Sequence, residues 1–184
     1  MKFLVIFSLL SAPVWAESCP PTPDSSAELS ALIDQIREAK DERAAKPISD
    51  QMWEIWLDAP DDAAQDLLDN GLRQRNNFDF VGALGTFDRL TEYCPAYAEG
   101  YNQRAFTHFM VEDYSKALND LDIALDLSPD HVGVQSGRAL TLMNMGLLDE
   151  ARTQMQAALD NNPWLSERAL MENGALLGPK GEDI

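Results

Sequence analysis

The chain carries two histidines, His108 and His131, and two cysteines, Cys19 and Cys94. These are its softest metal ligands and its most easily activated bases and nucleophiles. A zinc-type site needs three or four such ligands converging. No third ligand is arranged around either histidine, and His131 has only Asp130 beside it. The cysteines form neither the Cys-x-x-Cys pair of a redox centre nor a Cys-His pair. The phosphate-cradling GxxxxGK[ST], the GxSxG elbow, the dinucleotide GxGxxG and the calcium-loop ligand spacing are all missing. Asp58, Asp61, Asp62, Asp66 and Asp69 are dense, but they read as solvated charge and helix-start residues. The expectation is a protein without catalytic residues, metal or cofactor.

Charge narrows the partners. Asp and Glu number 31 against 14 Lys and Arg, a formal charge of -17, while 45% of the residues are hydrophobic. That composition suits a folded chain. Its charge repels nucleic acid and anionic membrane surfaces, so the expected partner is a protein or peptide.

The first residues, MKFLVIFSLLSAPVWA, have the order of a secretory signal peptide: Lys2, an apolar run from Phe3 to Leu10, Pro13, then small residues at Val14 and Ala16. Cleavage is expected after Ala16, giving a periplasmic or secreted protein with no stable membrane anchor. Glu17 just before Ser18-Cys19 argues against lipidation at that cysteine. In an oxidising compartment Cys19 can pair with Cys94; the alternative is that Cys94 is simply a small buried side chain. Residues 17–27, ESCPPTPDSSA, read as a mobile leader.

The elements that would position any site show a fixed period. Pro95, Pro129 and Pro163 stand 34 residues apart, as do Gly71, Ala105 and Ala139. The same interval links Ala83, Ala117 and Ala151; Phe80, Tyr114 and Leu148; Phe87, Leu121 and Met155; and Leu90, Ala124 and Ala158. Co-registered series of this kind specify stacked helical hairpins. Small residues permit the close helix crossing, large ones fill the space beside it, and the proline stops the second helix.

This pattern resembles the tetratricopeptide-repeat (TPR) family, with Tyr101, Ala105, Tyr114, Ala117, Ala124 and Pro129 on its consensus positions. Gln135, His108 and Leu142 depart from it. The resemblance implies an all-α, right-handed superhelical solenoid with repeats at 64–97, 98–131 and 132–165. Residues 28–63 are expected to form an N-terminal helical cap: one helix over 28–45 ended by Pro47, and a second over 49–58 bearing Trp53 and Trp56. Residues 166–184 are expected to supply a C-terminal capping helix and a free tail, with Trp164, Leu165, Leu170 and Met171 sealing the last repeat.

In this family the first helix of each repeat lines a concave groove. Its positions fall on Gln65, Leu68, Leu72, Arg75 and Asn76; on Glu99, Asn102, Phe106, Phe109 and Met110; and on Gly133, Ser136, Leu140, Met143 and Asn144. The resemblance implies a protein-binding scaffold or adaptor in the cell envelope, with an apolar helix or extended peptide in the groove. Leu68 and Leu72 stand where chaperone-tail-binding members place carboxylate-clamp residues, which argues against recognition of a C-terminal carboxylate. The alternatives are a groove filled by the chain's own N-terminal helices, and an envelope subunit that meets its partners through the Trp53/Trp56 helix.

Overall fold

The computed structural model describes residues 18–179. The expected signal peptide and the end of the tail lie outside that range. Among the described residues there are eight α-helices: α1 Ser26–Arg37, α2 Glu42–Leu57, α3 Asp62–Asn76, α4 Phe80–Tyr93, α5 Ala98–Met110, α6 Tyr114–Leu127, α7 Val132–Asn144 and α8 Leu148–Asn161. A 3-10 helix follows at Ser166–Met171. The pairs α3/α4, α5/α6 and α7/α8 are the three expected hairpins, stacked in chain order.

Each hairpin is built from the same local parts. The turn between its helices passes through a left-handed residue, Phe78 (φ 63°), Glu112 (φ 62°) or Gly146 (φ 79°), at the repeat interval. Asp79 and Asp113 then cap α4 and α6, their side chains accepting from the Gly82 and Lys116 backbone N–H groups. Between the helices, side-chain sizes compensate. A Cβ on Gly71 would lie 2.6 Å from Phe87 Cζ, so this pair must be glycine with phenylalanine. Where Leu121 and Met155 replace Phe87, alanines fit at 105 and 139, all of them buried.

A further periodic device joins neighbouring repeats. Arg104 makes a two-pronged ion pair with Asp120 (2.7 Å and 2.7 Å) and reaches Asp88 in the preceding repeat (2.9 Å). One repeat later, Arg138 binds Asp122 at 2.7 Å and Gln154 at 3.2 Å. The hydrogen bonds that Arg104 donates to Asp120 hold its guanidinium above its ordinary pKa, against the opposing effect of burial.

The N-terminal region departs from expectation in three ways. First, Pro47 does not end a helix; it lies inside α2. The start of α2 is set upstream by Asp41, whose side chain accepts from Ala44 N at 2.8 Å. The lost backbone bond costs little here because Arg43, whose carbonyl Pro47 cannot bond, is exposed. Second, the α1/α2 hairpin does not cap the end of the array. It lies along the turns between repeats, where Tyr97 Oη donates to the Trp56 carbonyl (2.7 Å) and the His131 ring stacks on Trp56 at 3.8 Å. It reaches the third repeat through Trp164 Nε1, which donates to the Ile36 carbonyl (3.2 Å), and Arg37 Nε, which donates to the Asp160 carbonyl (2.7 Å). These turns offer aromatic surface, and Leu32, Ile33, Ile36, Met52 and Trp56 bury themselves against it with Val132. Third, the described part of the leader is tied down: Cys19 and Cys94 form a disulfide, and Thr22 Oγ1 donates to the Ala96 carbonyl at 3.4 Å.

The C-terminal segment is also not an α-helix. After the 3-10 helix the chain turns at Gly174 (φ 81°), and at Gly178 a Cβ would lie 2.7 Å from the Glu172 carbonyl carbon. These turns bring Leu177, fully buried, onto Leu142 and Met155, and Arg152 Nε donates to its carbonyl at 2.7 Å. Leu170 and Met171 pack beside it as expected, while Trp164 goes to the N-terminal hairpin.

Two measurements check this packing. In urea titrations Gly71→Ala loses about 1–3 kcal/mol through overpacking against Phe87, whereas Gly146→Ala, which has open space around it, loses only about 1–2 kcal/mol from left-handed strain. Cys94→Ser lowers stability by about 2–4 kcal/mol and leaves it insensitive to added reductant.

Candidate functional site

The concave face is formed by α3, α5 and α7, and part of it is already occupied. Leu68 is fully buried, in a cluster with Phe87, with Leu57 at the end of α2 and with Ala59 of the α2–α3 link, and Leu72 packs against the same cluster. These two residues are therefore core rather than groove, because the link folds back over α3. At the other end, Trp53 of α2 lies on Gly133 in the first turn of α7, and Tyr97, just before α5, donates to the Trp56 carbonyl.

What stays open is a cavity of about 330 Å³, lined by Arg75, Asn102, Gln103, Phe106, Phe109, Ser136, Gly137, Leu140 and Thr141, with Trp53 and Glu167 at one side. Of the residues assigned to the groove from sequence, Arg75, Asn102, Phe106, Phe109 and Leu140 meet here, together with Gly133 and Ser136. Asn76, Met110, Met143 and Asn144 do not line it. Asn76 is exposed, Met143 packs toward the third-repeat core, and Asn144 donates to the Leu140 carbonyl of its own helix at 2.8 Å. Gln103, Gly137 and Thr141 line the cavity but were not expected. The signal for them was available: one step from a groove position on a helix still falls on the same broad face.

Beneath the cavity floor lies a chain of polar groups. Arg75 donates to Gln103 Oε1, and Gln103 donates to Glu99 Oε1. Asn102 Nδ2 reaches Glu99 Oε2 at 2.9 Å, and His131 Nε2 lies 2.9 Å from the same oxygen. His131 also caps α7, its Nδ1 accepting from Val134 N at 3.4 Å. That assigns the proton to Nε2, which donates to Glu99. Glu99 is thus not a groove residue but a buried carboxylate with every contact internal.

Arg75 sits at the cavity end of this chain, with its guanidinium 4.7 Å from the centre of the Phe106 ring. Burial lowers its pKa and the Glu99 charge partly opposes that shift. The Tyr97 hydroxyl is pushed well above its ordinary pKa, chiefly by burial and then by Glu99. His108 is buried on α5, 4.0 Å from Asp113, and burial lowers its pKa. Trp53 and Trp56 face inward: Trp56 is buried and Trp53 rests on Gly133. They do not form the outward partner surface considered from sequence.

No protein-family model matches the chain. A TPR repeat-containing protein of Rhizobium etli is 29% identical over 121 residues, which cover 64% of this chain and 58% of that protein. A tetratricopeptide repeat protein 36 homolog of Nematostella vectensis is 38% identical over 61 residues, covering 33% of this chain and 34% of the other. The chain thus spans between a third and somewhat over half of these relatives' length. Among solved structures, the first TPR of Spaghetti (RPAP3) bound to an HSP90 peptide superposes with a TM-score of 0.56 at 19% identity, covering 58% of this chain and 84% of that one. The Arabidopsis OM64 TPR domain gives 0.57 at 17% identity over 59% and 89%. A MamA fragment from Desulfovibrio magneticus gives 0.51 at 16% over 78% of each chain. At such identities the structural likeness is one of fold. Joined to the 34-residue register, the small-residue crossings and the relatives in sequence, it shows that this chain has the fold of tetratricopeptide-repeat proteins.

Proposed function

We propose that the chain is a non-catalytic binding scaffold that holds a protein or peptide in the open part of its concave face. The observation that carries this reading is Phe106, 49% exposed on the floor of a concave cavity beside Phe109 and Leu140. An aromatic ring left half exposed in a pocket is the usual anchor of a recognition site. Two solved neighbours support it by analogy of fold: one is described with an HSP90 peptide and another with an Hsp70 complex. The proposed setting is the cell envelope or the extracellular space, after removal of the signal peptide at about Ala16. The Cys19–Cys94 disulfide supports this, because such bonds persist in oxidising compartments.

A photo-crosslinking amino acid in place of Phe106 gives discrete adducts in native cells, and Phe106→Ala abolishes co-purification of the same species without changing the circular dichroism. The control position is Val81, which is 85% exposed and lies outside the cavity. Equal adducts from both positions would sink the proposal. For export, intact mass of the purified protein should show a chain beginning at Glu17, without lipid and without alkylatable thiol. A retained Met1 or two free thiols would refute that placement.

A further inference from the structure

Trp53 stands between two cavities of different chemistry. On one side is the apolar groove; on the other is a cleft of about 640 Å³ between the N-terminal hairpin and the third repeat, bordered by Glu42, Arg43, Lys46 and Asp50. Trp53, Gly133, Ser136 and Glu167 line both. The indole is seated by three contacts. It lies on Gly133, where a Cβ would be 2.6 Å from its Cη2, and it meets Trp56 and His131 edge-on at 5.3 Å and 5.6 Å. The ring is thus a wall that the two cavities share.

The groove side offers few unsatisfied polar groups. Asn102 and Gln103 are committed to Glu99, and the Ser136 and Thr141 hydroxyls donate to carbonyls of their own helix at 3.3 Å and 2.8 Å. Arg75 is the one cation lining the groove among the described residues. Its hydrogen bond goes to an amide, Gln103, and the carboxylate whose charge acts on it, Glu99, is already held by three donors. Donors of a partly desolvated guanidinium are therefore available beside an apolar floor.

We infer that Trp53 is a built-in end-stop, and that the groove takes a peptide segment with one bulky apolar side chain on Phe106, Phe109 and Leu140 and a neighbouring carboxylate on Arg75, rather than a strand running the length of the concave face. This rests on the binding function proposed above. The net charge of -17 disfavours acidic ligands at long range, but screening beyond about 8 Å at physiological salt leaves the choice to Arg75.

The test is selection of a displayed library of short, cysteine-free random peptides on the mature, disulfide-bonded protein. Binders of the wild type share one bulky apolar residue adjacent to Asp or Glu. Arg75→Gln weakens them about tenfold or more and removes the acidic preference. Trp53→Ala selects peptides with a second anchor beyond the first, because groove and cleft become continuous; Trp53→Leu serves if circular dichroism shows that the alanine variant has lost its fold. Unchanged anchor patterns in the Trp53 variants, or acid-independent selection by the wild type, overturn the inference. Should Phe106→Asp bind the selected peptides as well as the wild type, groove binding itself fails. Should Phe106→Asp abolish binding while the Trp53 and Arg75 variants match the wild type, only the end-stop fails. A library with no binder to the wild type overturns both.

Discussion

A carboxylate that is removed from water must find hydrogen-bond donors, and in this protein Glu99 sets that condition at the centre of the fold. Its oxygens take Gln103, Asn102 and His131. Satisfying it fixes the spacing of α5 and α7, since His131 comes from the turn that starts the next repeat. The same demand orients the imidazole, which leaves Nδ1 to cap α7 and one ring face to stack on Trp56. Through Gln103 it also places Arg75 over Phe106. Thus one buried charge links repeat packing, the seat of the N-terminal hairpin and the only cation that lines the groove among the described residues.

The array was legible because its rules are local and repeat. Gly71 with Phe87 and Ala105 with Leu121 are size complements at a fixed interval, so the hairpins can be read without knowing what surrounds them. Arg104 and Arg138 obey the same interval with Asp88 and Asp122, and this ion-pair series was readable too, though polar positions stand out less than a proline or glycine series. The N-terminal hairpin obeys no period. Its amphipathic faces announce burial but not the surface they bury against, and that surface, Tyr97, His131 and Trp164, comes from three separate turns. Pro47 misleads because a helix tolerates proline where the freed carbonyl is solvated, and Asp41 is the stronger boundary signal.

The groove was half legible for the same reason. Arg75, Phe106, Phe109 and Leu140 depend only on the pitch of the repeat and meet as expected. Leu68 and Leu72 have the right pitch as well, but the Leu57–Ala59 link covers them, and no repeat rule describes a link. The ends of helices were the other weak point: Asn144 turns back to its own backbone instead of facing a ligand. Position within a repeat therefore locates the concave face, and the non-repeating parts decide how much of it stays open.

The docking of α1 and α2 along the turns between repeats changes what kind of molecule the array is. A plain solenoid is nearly one-dimensional, with each unit held by its neighbours and free to open from either end. Here Cys19 is bonded to Cys94 in the first repeat, while Arg37 grips Asp160 in the third. Among the described residues, the first helix is thereby closed onto the last α-helix. Each end of the array can fray only by giving up contacts with this shared N-terminal segment, so melting is expected to be concerted rather than sequential. The cost falls on the folding side: these contacts are among the longest in sequence, and they form only after the third repeat exists to receive them.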